Sequence, residues 1–184
     1  MKSLTLKTSL IGGVLIFAGI CGNAQAIDSE RYIKLANATI QEANGGFIPN
    51  INQLIKTQQT MVEIGVAGSK EYIRANPQHA DILNEVIANA ENMMNMSLEE
   101  IEDKWHMGKH MRSKGFDLDK FDHFSPLFSL MDSIIHPATS YISLKEYKRT
   151  RDTQYLGRAS AELIEVVEHV SHINDDKGPV LTQH

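Results

Sequence analysis

Apolar residues recur at steps of three and four along almost this whole chain, and no stretch alternates apolar with polar as a half-buried strand does. The clearest stripe is the last one: Leu156, Ala159, Leu163, Val167 and Val170 share one helical face. A chain patterned this way buries its stripes helix against helix. The expected fold is therefore all-α, a helical bundle of five to six helices with a four-helix core.

Punctuation residues divide the pattern. Asp28 or Ser29 caps a first helix that ends at Gly45-Gly46. Pro49 suits the first turn of a second helix running to about Asn76. Gln58, Gly65 and Ser69 fall on its apolar face with Ile51, Leu54, Ile55 and Val62. Gly65 and Gly68 leave open whether it breaks in two. Pro77 opens a third helix with Ile82, Leu83, Val86, Ile87, Ala90, Met93 and Met94 as its stripe. Ser97-Leu98-Glu99-Glu100 reads as a capping box, in which the serine hydroxyl and the glutamate satisfy each other's backbone amides. It starts a fourth helix that stops near Gly115. Ser125-Pro126 starts a fifth with Phe128, Met131, Ile134 and Ile135 inward, and Pro137 is expected to end or kink it. Asp152 caps the last helix, and Lys177-Gly178-Pro179 marks its end.

The first residues read differently. Lys2 and Lys7 precede an apolar run, Leu10 to Ile20, and Ala24-Gln25-Ala26 supplies small residues for cleavage. That order is expected of a secretory signal peptide over residues 1–26, and the run is too short to span a bilayer. Cys21 follows Ile20, where a lipid-anchor signal takes a small residue, so lipidation is the weaker reading. Residues 27–176 then form a single helical-bundle domain, and 177–184 a flexible C-terminal tail. The expected location is periplasmic or secreted.

Charge and cysteine usage exclude several chemistries. The formal charge is −5, and it falls to −7 once Lys2 and Lys7 leave with the signal. The one short basic run, Lys145 to Arg151, is a solvated helix end, so no nucleic acid partner is expected. Cys21 is the only cysteine. A chain cleaved after Ala26 has no disulfide, no thiolate metal site, no iron–sulfur cluster and no covalent haem of the c type. Stability must come from the core alone. Glycine motifs that cradle phosphate, the nucleophile elbow and the His-Glu-x-x-His metalloprotease motif are missing, so no enzymatic activity is expected.

Chemistry concentrates in Trp105-His106-Met107-Gly108-Lys109-His110-Met111. At about 100° per residue, Leu98, Ile101, Trp105 and Gly108 point to the core side of an α-helix. His106 and His110 then point roughly 140–180° away, on a stripe with Glu99 and Asp103. Neighbours at such spacings can bind one cation. A wet helix face explains the same pattern without any ion. The last helix carries Glu165, Glu168, His169 and His172 off its apolar stripe. If the two polar faces meet, His106, His110, His169, His172, Glu99 and Asp103 make a copper or zinc site. Met96, Met107 and Met111 lie off the main stripes and tilt the expectation towards copper.

Two other histidines are of interest. His79 falls in the first turn of the third helix, on its apolar side. It is expected to be a neutral core histidine bonded to a carbonyl, or else an axial ligand to non-covalent haem opposite Met61 or Met131. His136 precedes Pro137 and is expected at the surface, paired with Asp132. The leading expectation is thus a non-enzymatic envelope protein that binds a transition metal. The alternatives are a chaperone-like or sensory interaction protein that meets an envelope protein partner without metal, and a bundle that binds haem non-covalently.

Overall fold

A computed structural model describes residues 27–46 and 48–173. The expected signal peptide, 1–26, and the tail, 177–184, lie outside the described residues. Within them the chain is helical, with seven α-helices and no strand. They are α1 Ser29–Asn44, α2 Ile51–Ala75, α3 Ala80–Met93, α4 Leu98–Ile101, α5 Lys109–Ser113, α6 Pro126–Thr150 and α7 Gln154–His172. Short 3-10 turns occupy Pro77–His79 and Leu118–Lys120, and a π-helical segment spans Glu102–His106.

Four long helices make the core. α6 packs against α2 and α7, and α1 packs against α7 and α2, which closes a ring. α3 leans on α2 and α6 from outside. The stripes read from the sequence face inward: Leu156, Ala159, Leu163 and Val170 are buried in α7, and Ile82, Leu83, Val86, Ala90 and Met93 in α3. Val166 is buried as well, while Val167 is only half-buried.

Two caps act where they were expected, while the last helix takes Thr153 and not Asp152 as its N-cap. The Asp28 carboxylate accepts from Arg31 N at 3.2 Å. The Ser97 capping box is complete, with Glu100 N donating to Ser97 Oγ at 3.1 Å and Ser97 N to Glu100 Oε2 at 3.0 Å. Pro49 falls just outside its helix, whose N-cap is Asn50.

Two places needed the tertiary structure. Helix α2 runs unbroken through Gly65 and Gly68. A Cβ on Gly65 would sit 2.6 Å from the Ser133 carbonyl oxygen of α6, so glycine at this position lets the two backbones approach closely. Helix α6 also runs on through Pro137, so it does not end there. Proline in a helix interior costs about 3 kcal/mol, partly because the carbonyl four residues earlier loses its amide partner. That carbonyl belongs to Ser133, and the buried Tyr32 hydroxyl of α1 donates to it at 2.8 Å. Burial of Ile134, Ile135, Ala138 and Ile142 around the proline adds roughly 1.5–3 kcal/mol for each large side chain and outweighs the rest. Burial, and then the charge of Asp132, push the Tyr32 phenol well above its ordinary value, so it stays a donor.

Candidate metal centre

The centre is built from α6, α7 and the π segment. His136 sits in the middle of α6, Glu162 on α7 and His106 at the end of the π segment. Each offers one donor atom, and the three atoms all lie within 4.8 Å of one another. Glu162 Oε2 is the hub, 2.9 Å from His136 Nδ1 and 3.5 Å from His106 Nε2. The two imidazole rings meet edge to face with centroids 5.0 Å apart. The site is sheltered: the side chains of His136, Glu162 and His106 are 4%, 12% and 17% exposed.

The π segment explains why His106 arrives there. Met107 N bonds the Glu102 carbonyl five residues back at 2.9 Å, the hydrogen bond that defines a π turn. The wider turn changes the phase of every following residue. Trp105 still enters the core, but His106 swings onto α6 and α7 instead of facing water. Arg158 of α7 ties the segment down, 2.9 Å from Glu102 Oε2, and its Nε lies 3.9 Å from Glu162 Oε1. Thr139 sits below. Its hydroxyl donates to the Ile135 carbonyl at 3.0 Å and lies 2.8 Å from His106 Nε2.

Charge builds up beside the cluster. Asp132, one turn before His136, has Oδ1 3.9 Å from His136 Nε2 and Oδ2 2.7 Å from His169 Nδ1. Its side chain is 14% exposed. Burial pulls the His136 imidazole down, but the hydrogen bond to Glu162 and the charges of Asp132, Glu162 and Glu165 outweigh it, and the net shift is upward. Burial holds His106 below its ordinary value against the pull of Glu162. Two sheltered carboxylates therefore face three imidazoles, those of His106, His136 and His169, with Arg158 at the rim. This is a pocket that favours a cation.

The structure scatters the other residues singled out in the sequence. His106 and His110 do not share a stripe, because the π segment and the left-handed Gly108 (φ 64°) separate them. His110 lies on α5, stacks on Trp105 with centroids 4.5 Å apart, and meets Glu85 Oε1 of α3 at 2.7 Å. Asp103 pairs with Lys109, and Glu99 is exposed. His169 is buried and reaches the cluster through Asp132. His172 is half-buried against the Phe124 ring, 5.0 Å away. Met111 is packed in the core, Met107 is exposed and Met96 is half-buried against the core, so the donors gathered at the centre are nitrogen and oxygen.

Two histidine expectations are corrected. His136 is not at the surface: it is 3% exposed, although its expected neighbour Asp132 is there. His79 stands half-buried in the 3-10 turn before α3, and its Nδ1 meets the Tyr72 hydroxyl at 3.0 Å rather than a carbonyl. Burial lowers its pKa. Met61 and Met131 are packed in the core, 0% and 2% exposed.

His136 and Glu162 escaped the sequence reading, though one signal for His136 was present. From Ser133 to Leu144 the chain carries no Asp, Glu, Lys or Arg. A helix without charge on any face is buried all round, so a histidine in its middle is buried too. Glu162 lies one step before Leu163 and carries no comparable mark.

No helix among the described residues is long and apolar enough to cross a membrane. No family model, no curated protein and no solved structure matches this chain.

Proposed function

We propose that this protein is a non-enzymatic, transition-metal-binding helical bundle of the cell envelope, and that it takes divalent zinc or copper on His106, His136 and Glu162. The observation that carries the reading is the convergence of these three donors within 4.8 Å from three separate elements. Two imidazoles and a carboxylate suit zinc and cupric ion, and they leave one coordination position for water or an external ligand. A dication also offsets the charge of Glu162, which has Arg158 Nε 3.9 Å away at the rim, and of the sheltered Asp132 beside His136. The envelope location rests on the signal-like order of residues 1–26. Titration of the purified chain with Zn(II) and Cu(II) tests the reading. Binding should be much tighter than millimolar, and His136→Ala or Glu162→Gln should weaken it strongly. Binding no tighter than about millimolar, worth roughly 4 kcal/mol, overturns it.

One observation favours a second reading, a partner-binding role without metal. An open groove of about 690 Å³ lies between α2 and α3, lined by Val62, Val66, Ile87, Met94 and Tyr141 with Glu63, Lys70 and Glu91 at its edge. An envelope partner captured by the native chain and lost on Val66→Glu supports this role.

A further inference from the structure

His136 presents a donor on each side of its ring. Nδ1 faces Glu162 at 2.9 Å, and Nε2 faces Asp132 Oδ1 at 3.9 Å. Asp132 turns its other oxygen to His169 Nδ1 at 2.7 Å. That short contact is not an aligned hydrogen bond: His169 Nδ1 is buried and, among the described residues, lacks a hydrogen-bond partner, although the carboxylate oxygen is at hydrogen-bond distance. The His169 residue is 2% exposed, and the ring of His123 stands edge to face against it, 4.6 Å away between centroids. A buried imidazole nitrogen beside a carboxylate that does not satisfy it is a polar group in want of a third party. The Tyr32 hydroxyl is committed to Ser133, so it does not fill that role.

We propose a second metal position between Asp132 and His169, with the His136 ring bridging it to the first ion. The inference rests on the metal reading of His106, His136 and Glu162. The first ion takes His136 Nδ1, the second takes His136 Nε2, the Asp132 carboxylate and His169 Nδ1. For both ring nitrogens of His136 to bind, the ring gives up its last N–H proton to solvent as the second ion enters, and no electron changes hands. Asp132 Oδ1 stands 3.9 Å from His136 Nε2, and the donors of His136, Asp132 and His169 do not all lie within 4.8 Å of one another as those of the first position do, so the second position closes only as an ion draws them in and fills after the first. The ligand class is the same as at the first position, a divalent ion that accepts imidazole and carboxylate. Asp132 also holds the whole array in register, because it stands one helical turn before His136.

The test is stoichiometry together with magnetic coupling on the purified full chain. Equilibrium dialysis against Zn(II) should load two ions per chain in excess of those kept by a His136→Ala variant. His169→Ala and Asp132→Asn should each lose one ion and keep the tighter one. With Cu(II), two ions joined through one imidazolate couple antiferromagnetically. The fully loaded native chain should therefore show a weakened electron paramagnetic resonance signal, and His169→Ala an isolated single-copper spectrum. The copper experiment needs no variant at Asp132, so a misfolded Asp132→Asn leaves the proposal open to refutation. A native chain that loads one ion, with affinity unchanged in His169→Ala, overturns the second position and leaves the first intact. A native chain that loads none overturns the first reading and this one with it.

Discussion

His136 Nδ1 lies 2.9 Å from Glu162 Oε2, and that same oxygen lies 3.5 Å from His106 Nε2. A single carboxylate oxygen thus gathers two imidazoles from two other elements. Removing it should matter more than removing any histidine of the surface. Glu162→Gln keeps the shape and loses the charge, and it should weaken Zn(II) binding by at least about 10–100-fold, the range that even outer-shell partners command. His110→Ala should leave affinity within about twofold, since His110 faces Glu85 on α3. Calorimetric titration of the two variants beside the native chain decides between the cluster and the helical stripe.

Metal should stabilise the fold that assembles its ligands. A ligand at about 100 times its Kd adds roughly 2.7 kcal/mol. For a domain of this size that is about 5–10 °C in Tm. The shift should be seen in thermal unfolding with Zn(II), reverse on chelation and vanish in His136→Ala. An equal shift in that variant would place the ion elsewhere.

Tyr32→Phe removes the hydroxyl that donates to Ser133, the carbonyl whose helical partner Pro137 lacks. A buried carbonyl left without a partner costs about 1–3 kcal/mol. Urea unfolding should show a lower midpoint with an unchanged slope. The double variant with Pro137→Ala should recover part of the loss, because the alanine amide can again serve Ser133.

Gly65→Ala should be destabilising even though alanine gains up to about 1 kcal/mol of helix propensity. Its Cβ would meet Ser133 O at 2.6 Å and Ile134 Cγ1 at 2.9 Å, and the first is backbone that cannot rotate away. Overpacking of this kind costs typically about 1–3 kcal/mol and should win. Gly157→Ala, where nothing lies within 4 Å, should be neutral or stabilising by the same assay.

Hydrogen bonds from His110 and then Lys114 hold the Glu85 carboxyl below its ordinary value of 4.5. A depressed folded pKa stabilises fully above the unfolded value, and the contribution is lost as pH falls through the folded one. Glu85→Gln should therefore cost about 0.5–1 kcal/mol at neutral pH. The gap to the native chain should close as pH falls below 4.5 and through the depressed folded value. Denaturation midpoints at the two pH values check this, and a gap that widens in acid would contradict it.

Periodicity was enough to establish the helices, their inward stripes and most of their caps, because each depends on residues within a turn or two of one another. Ser97 and Glu100 find each other across three residues whatever the rest of the chain does. The candidate centre was half legible. His106 was visible as a candidate, and His169 too, but their true neighbours were not. An angle of 100° per residue assumes an α-helix, and the π turn over Glu102–His106 broke that assumption at the residue that mattered. His136 was read outward because one face of its helix was clearly apolar; in fact α6 is enclosed by α2, α3 and α7. Local sequence sets which side chains a helix carries and how they are spaced. Which of its faces meet water is decided by how many neighbours pack around it, and that is a property of the assembled bundle alone.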